Sequence, residues 1–491
     1  MPSVGIIGSG IGGLATAIRL AVKGYEVELF EKNSSPGGKL SVIQERGYLF
    51  DAGPSLFTQP ENIEELFRLA GRDIADYLQY RSVDIACRYF FEDGKRVDAY
   101  THAALFAAEL EKVVGEDPAS VMNYLKRSEM VYEKVGTIFL NHSLHKASTW
   151  LHRRVVSAMA SVGYDHLFRT LDKFNRLRFR TPEAVQIFNR FATYNGSNPY
   201  QAPGMLSLIP HLEQNQGTFY PEGGMYQIVE AMYRLALDLG VRFHFGAPVE
   251  RILLVGGKAG GLKSGGKEYY FDQVVSNVDA YFTYRHLLQD EARARQILKR
   301  ERSSSALIFY WGVAKAFPEL HLHNIFFSQN YPEEFRYIFK EKKMYEDPTV
   351  YINITAKMEA GQAPAGKENW FVMLNAPATS GHFPQSAVDA SRRNILSKLG
   401  RMLGQPIEPL IEVEHVLTPE GIEANTDSYM GSLYGTSSNS RFAAFLRHAN
   451  QAGHIRGLYF VGGSVHPGGG IPLCMKSAWI VANMFPDLRN R

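Results

Sequence analysis

Short apolar runs alternate with amphipathic stretches along this chain, and the first such alternation is the most specific. Ser3-Val4-Gly5-Ile6-Ile7 reads as a buried strand, and Leu14, Ala17, Ile18 and Ala21 then recur at helical spacing up to Gly24. Glu26 to Phe30 reads as a second strand and delivers the acid Glu31. Between the first strand and the helix stands Gly8-Ser9-Gly10-Ile11-Gly12-Gly13, a G-x-G-x-x-G segment. Strand, glycines, helix, strand and acid in this order predict a dinucleotide-binding unit, with the acid about twenty positions beyond the first glycine. Gly8 permits the tight turn, Gly10 lets the backbone approach a pyrophosphate, and Gly13 lets helix and strand pack closely. The helix N-terminus offers free N–H groups to the phosphates. Glu31 is expected to accept hydrogen bonds from the ribose hydroxyls.

Beyond residue 85 the pattern becomes mostly helical, with segments expected over 102–115, 118–140, 148–178 and 182–193. Near residue 217 a glycine-rich turn, Pro221-Glu222-Gly223-Gly224-Met225, opens a helix to about Leu239, followed by a strand from Arg242 to Phe245. Val249 to Val255 and Tyr269 to Val275 read as strands of a meander joined by glycine-rich turns. Strands are expected at Ala306 to Val313, Thr349 to Ile354, Trp370 to Asn375 and Ile411 to Leu417. A last strand, Leu458 to Val461, meets a second glycine-rich segment and a helix from about Pro472 to Met484. The pattern predicts an α/β protein with a dinucleotide-binding domain in three pieces, 1–85, 215–285 and 450–491. An α+β substrate- and membrane-facing domain, 86–214 and 286–449, is inserted twice.

Composition changes this picture little: 491 residues, 45% hydrophobic, suit a large enzyme with a substantial core. The two cysteines, Cys87 and Cys474, stand far apart in sequence, which fits a reduced cytoplasmic protein. No charged leader precedes the first apolar run, and no apolar stretch reaches the roughly 18 residues of a membrane span. The net charge of +3 is unevenly placed. Residues 140–180 hold Lys146, Arg153, Arg154, Arg169, Lys173, Arg176, Arg178 and Arg180 against Asp165 and Asp172, interleaved with large apolar residues such as Phe168 and Phe174. Docking on an anionic membrane surface and a helical subdomain with a basic solvated face explain this equally well. Nucleic acid is not an expected partner, since no recognition motif accompanies the charge. His142, His145 and His152 show no recognised metal spacing, and no metal is expected.

A second glycine element follows Glu31: Pro36-Gly37-Gly38-Lys39-Leu40, and then Phe50-Asp51-Ala52-Gly53-Pro54-Ser55. Together with the first element it resembles the amino-terminal signature of the flavoproteins that include amine oxidases, protoporphyrinogen oxidase and carotenoid desaturases. That resemblance implies FAD, with Gly38 and Lys39 at the diphosphate and ribityl side. Three further blocks resemble the bacterial-type phytoene desaturase family in order and spacing. They are Ala192-Thr193-Tyr194-Asn195-Gly196-Ser197-Asn198-Pro199, Tyr220-Pro221-Glu222-Gly223-Gly224-Met225 and Val461-Gly462-Gly463-Ser464-Val465-His466-Pro467-Gly468-Gly469-Gly470-Ile471-Pro472. Within that family, Phe50 to Thr58 and Glu65-Leu66-Phe67 look most like the 1′-hydroxycarotenoid 3,4-desaturases.

The resemblance implies a Rossmann-like FAD-binding fold and non-covalent FAD held by Gly8, Gly10, Ile11, Gly12, Gly13, Glu31, Lys32, Gly38, Lys39, Gly53, Pro54, Ser55, Val249, Gly462, Gly463, Gly470 and Ile471. It implies desaturation of an acyclic carotenoid, with a hydroxyl at the far end, in a tunnel lined by aromatic and aliphatic side chains. The enzyme would lie peripherally on the cytoplasmic membrane surface and pass electrons to oxygen or a quinone. An extended polyene stabilises allylic cation character as hydride leaves, so a strong base is not obligatory. Glu222 and His466 are the polar candidates near the flavin, each with the alternative of simply holding its loop. The alternatives are a phytoene or diapophytoene desaturase, and, more distantly, an amine or porphyrinogen oxidase or a non-catalytic carrier of flavin and lipid.

Overall fold

Ser3–Ile7 lies at the centre of a five-stranded, all-parallel sheet in the computed structural model, which describes residues 1–136, 163–440 and 447–489. Glu26–Phe30 and Gln273–Ser276 flank it, and Arg242–His244 and Leu458–Phe460 form the edges. Three separated stretches of chain therefore build one sheet. Parallel strands are buried on both faces, which is why they read as unbroken apolar runs. On one face the helices Ile11–Val22, Gln227–Asp238 and Ile471–Ala482 pack Leu14, Ile18, Met232 and Ala478 over Val4, Ile6 and Leu29. On the other, an antiparallel meander of Val249–Val255, Lys258–Ser264 and Lys267–Tyr270 covers Ile7, Phe30 and Val274.

The run Tyr269 to Val275, expected as one meander strand, is divided. Lys267–Tyr270 closes the meander, whereas Gln273–Ser276 joins the parallel sheet. Asp272 makes the corner: its N–H donates to the Ser3 carbonyl at 3.1 Å and its carboxylate accepts from Ser3 N at 2.9 Å.

A second, seven-stranded sheet runs in the order Ile411–Leu417, Ser305–Val313, Glu368–Ala376, Val350–Ile354, His323–Phe326, Ile85–Phe90 and Arg96–Tyr100. Its central strands alternate as a two-faced sheet requires. Leu307, Phe309, Trp311, Trp370 and Val372 face the long helix Gln385–Met402, with Trp311 directly opposite Trp370 and both fully buried. Ile308, Tyr310, Phe371 and Met373 face the other way, into a cavity between the two sheets. The strands Ile85–Phe90, Arg96–Tyr100 and His323–Phe326 were not expected from the sequence. Arg88 breaks the apolar reading of the first, and burial against Asp98 at 2.5 Å is what makes it acceptable there.

The helices Ala103–Val114, Pro118–Val131 and Pro182–Asn189 occupy expected places. The long helix expected over 148–178 does not continue through its described part. Tyr164–Phe168 and Leu171–Arg176 are separate because Thr170 is extended, its hydroxyl capping Lys173 N at 3.3 Å. Residues 137–162, with Lys146, Arg153 and Arg154, lie outside the described residues. No helix among the described residues is long and apolar enough to cross a membrane.

One buried carboxyl gives this scaffold a pH signature. Glu334, 1% exposed, accepts from Thr349 N at 3.0 Å and Thr349 Oγ1 at 2.7 Å. Burial raises its pKa from 4.5 to about 7, against those hydrogen bonds and the pull of Lys398. A carboxyl whose folded pKa is raised contributes stability that is fully present below its unfolded pKa and is lost as pH rises through the folded value. Glu334→Gln should therefore gain stability relative to the native protein as pH climbs from about 4.5 to 7, read as the difference in urea midpoints. A difference that stays flat over that window would show the carboxyl to be ionised throughout.

Candidate active site

The cavity between the sheets has a volume of about 980 Å3, at the top of the roughly 300–1,000 Å3 range of single-ligand sites. Loops at the carboxyl ends of the parallel strands form one half of it, where open α/β sheets bind their ligands. After Ser3–Ile7 the chain turns at Gly8, whose φ of +91° is one that a side chain disfavours. Gly8 N donates to the Phe30 carbonyl at 2.7 Å, which joins the turn to the neighbouring strand. A Cβ on Gly13 would lie 2.1 Å from the Gly8 carbonyl, so the helix Ile11–Val22 can approach the turn only with glycine there. Gly13 thus packs behind the turn and does not line the cavity.

Two helices end on the cavity with free N-termini. Ile11–Val22 begins at Gly10 and Ile471–Ala482 at Gly470, neither with a side-chain cap nor an acid in its first turn. Their exposed N–H groups suit anionic or electron-rich ligand oxygens. Gly470 has a φ of +101° and nothing within 4 Å of the place a Cβ would take. Gly38 lies so close to Gly10 that its Cβ would stand 3.2 Å from Gly10 Cα. These are cradles that side chains would fill, and they fit the phosphates of a dinucleotide.

Glu31 is 4% exposed at the cavity wall. Its carboxylate accepts from Ser9 N at 2.8 Å, Ser9 Oγ at 2.7 Å and Asn33 N at 2.9 Å, which fixes its position and leaves lone pairs for ribose hydroxyls. Lys39 donates to the carbonyls of Leu433 at 2.7 Å and Ser432 at 3.2 Å. Burial lowers its pKa to about 8, with Asp279 and Cys474 opposing. Lys32 is held at Asp427, 2.8 Å away. Ile11, Gly12, Gly53, Pro54, Ser55, Val249, Gly462, Gly463 and Ile471 complete the expected set, and all of them line the cavity.

The two polar candidates are not on that wall. Glu222 is exposed, and its backbone N–H donates to the Gln79 carbonyl at 2.9 Å. His466 is 2% exposed; its N–H donates to the His448 carbonyl at 2.9 Å and its own carbonyl accepts from Asn450 Nδ2 at 2.8 Å. Neither lines the cavity.

Sequence reasoning missed several wall residues. Asn277 fills the space left by the glycines: its amide lies within 3 Å of the Cβ positions of Gly10, Gly12 and Gly462. The far wall carries a buried ion pair, Arg190 with Glu213 at 2.9 Å, to which Tyr194 also donates. Cys87 lies in the same wall as a buried free thiol, its pKa pushed up to about 12 by burial. Arg190 and Glu213 sit in mostly apolar helical surroundings, and a buried charge in such a run was the available signal. Around them Ile308, Tyr310, Ile325, Phe371 and Met373 make the remainder of the wall apolar.

Residues 11–484 match the model of the flavin containing amine oxidoreductase family. The chain is 49% identical over 482 residues to a 1-hydroxycarotenoid 3,4-desaturase of Flavobacterium sp. (strain P99-3), covering 98% of both chains. It is 34% identical to a 4,4'-diapolycopene oxygenase of Methylomonas sp., over 97% of this chain and 96% of the relative. Among solved structures, an oxidoreductase from Methanosarcina mazei superposes with a TM-score of 0.62 at 16% identity, over 98% of this chain and 99% of that one. Putrescine oxidase bound to putrescine also gives 0.62, at 15% identity over 100% and 99%. The last two resemblances concern the fold.

Proposed function

Because the chain belongs to the flavin containing amine oxidoreductase family and is an FAD-dependent oxidoreductase, we propose that it desaturates acyclic carotenoids bearing a hydroxyl at C1, forming the 3,4 double bond. The observation that carries this reading is 49% identity along 98% of the chain to a 1-hydroxycarotenoid 3,4-desaturase. The locants 1 and 3,4 in that relative's name belong to one end of the polyene. The hydroxyl then lies within three carbons of the oxidised bond, and the far-end hydroxyl expected from the sequence is corrected.

We infer that the residues lining the strand-end half of the cavity, from Gly8 to Ser55 and from Gly462 to Ile471, hold FAD non-covalently. Segments 1–85, 215–285 and 450–491 then form the cofactor unit, and 86–214 with 286–449 the substrate unit. Bound FAD supplies the hydride acceptor. The chain's own part is to orient the rod-like substrate and to exclude water. Ile308, Tyr310, Phe371 and Met373 offer the apolar wall, and the conjugated substrate delocalises the positive charge that develops. The test is turnover of purified, FAD-loaded enzyme on acyclic carotenoids in liposomes. A 1-hydroxylated substrate should give a red-shifted product spectrum. Conversion of phytoene alone would favour the earlier-step desaturase, and a flavin that stays oxidised under anaerobic mixing would favour the carrier.

The described part of the basic segment supports membrane docking. Phe168 and Leu177 are 47% and 57% exposed, beside exposed Lys173, Arg176 and Arg180. Arg169 and Arg176 are paired with Asp165 at 2.7 Å and Asp172 at 2.9 Å, so part of the apparent charge is internally neutralised. We infer peripheral attachment to an anionic lipid surface on the cytoplasmic side, led by the apolar tips and the remaining cations. Lys173→Glu with Arg180→Glu should weaken binding to anionic vesicles several-fold and spare neutral ones. Phe168→Ser with Leu177→Ser should weaken both. Equal binding of all variants in sedimentation assays would leave a solvated face.

A further inference from the structure

His323 opens the strand His323–Phe326 and is 2% exposed in the cavity wall, directly across from Asn353. Its Nδ1 lies 2.8 Å from Tyr351 Oη and 3.2 Å from Asn353 Nδ2. Asn353 Nδ2 also donates to the Leu322 carbonyl at 3.1 Å, which fixes that amide nitrogen as a donor. Nδ1 must therefore accept, and the ring proton resides on Nε2. Burial, with Arg190 nearby, lowers the imidazole pKa to about 3, so the ring is neutral at any working pH. Nε2 is buried and has no hydrogen-bond partner among the described residues. An unpaired buried N–H is expensive, and such groups are retained where a ligand completes them.

Tyr351 Oη donates to His323 Nδ1 and accepts from Ser55 Oγ at 2.7 Å. A hydrogen-bonded row thus runs from the Gly53-Pro54-Ser55 loop, on the cofactor side, to the imidazole. We propose that His323 Nε2–H, held by the Ser55–Tyr351–His323–Asn353 row, donates to the hydroxyl oxygen of the substrate and selects hydroxylated over hydrocarbon carotenoids. The chemistry matches a neutral oxygen: the donor is uncharged, and the neighbouring Arg190 is already occupied by Glu213 at 2.9 and 3.1 Å. The position matches as well, since a hydroxyl within three carbons of the oxidised bond must be received close to the cofactor side. A hydrocarbon leaves the N–H unsatisfied, and sites built to bond a hydroxyl reject the analogue that lacks it.

This assignment rests on the desaturase reading, and the test separates the two. FAD-loaded enzyme is assayed on a 1-hydroxylated acyclic carotenoid and on the corresponding hydrocarbon, and the ratio of kcat/KM values is read. His323→Leu should lower that ratio by about 10–100-fold, the size of one hydrogen bond to a buried donor. Tyr351→Phe should lower it by roughly three- to tenfold, because Asn353 still holds Nδ1. His323→Gln, which offers an amide N–H near the same place, should restore much of it. An unchanged ratio in His323→Leu overturns the assignment while leaving the desaturase reading intact. If that variant fails to retain FAD, an unchanged ratio in Tyr351→Phe does the same. A native enzyme that turns over neither substrate overturns both.

Discussion

Glu213→Leu is expected to destabilise the FAD-loaded protein by about 3–5 kcal/mol, the cost of stranding one member of a buried ion pair. Glu213 is 1% exposed and grips Arg190 with both oxygens, at 2.9 and 3.1 Å, while Gln214 Nε2 donates to it at 3.1 Å. The guanidinium is enclosed by the rings of Tyr89, Phe191 and Tyr194, their centroids 5.3, 4.5 and 5.2 Å away. Aromatic faces attract the cation but do not replace a carboxylate, and Arg190 Nε already lacks a partner among the described residues. Removing the acid therefore leaves a desolvated charge. Replacing both residues, Arg190→Met with Glu213→Leu, should recover most of the loss, since the charge disappears with its partner. Urea midpoints of the two singles and the double supply the cycle. A single-variant loss below about 1 kcal/mol would mean that cavity water solvates the pair and that the wall is wetter than an apolar tunnel requires.

Gly53→Val should yield folded protein without FAD, or none at all. A Cβ at Gly53 would stand 1.9 Å from the Lys39 carbonyl, a backbone atom that no rotamer change can move. The segments of Lys39 and Gly53 lie side by side, with Ala52 N donating to the Ser41 carbonyl at 2.8 Å, and both line the cavity. Forcing them apart displaces Lys39 on one side and Pro54 and Ser55 on the other. Glu31→Ala is the milder comparison. It removes an acceptor without moving backbone, and should weaken FAD binding by roughly 1–3 kcal/mol, about 5- to 150-fold in Kd. Flavin absorbance per protein after purification reads the first variant, and titration of the apoprotein reads the second. A Gly53→Val protein holding one FAD per chain would remove this loop from the cofactor contact.

Much of the cofactor half was legible because its signals are local. Gly8, Gly10, Gly13 and Glu31 sit within one strand–helix–strand unit, where each residue type is dictated by a turn, a close approach or a nearby hydroxyl. The strand runs Ser305–Val313 and Glu368–Ala376 were also visible, since burial on both faces produces apolar stretches whatever the topology. The helix expected over 148–178 failed because periodicity cannot see Thr170 capping Lys173. The meander failed at Tyr269 to Val275 because which sheet a strand joins depends on partners far away in sequence.

The sequence by itself determined the dinucleotide unit, its flavin and the family, because those rest on residue types at short, fixed spacings. Only the tertiary structure decided the composition of the far wall. Arg190, Glu213, His323 and Tyr351 come from segments more than a hundred residues apart at their extremes, and no spacing rule links them. Period-two alternation in the seven-stranded sheet turns Tyr351 toward the cavity, and its pairing with the strand His323–Phe326 brings His323 level with Asn353. The same long-range assembly removed Glu222 and His466 from the wall, although each stands in a glycine-rich block. Motif membership fixes which loop a residue belongs to; the direction its side chain takes is set by what packs against that loop.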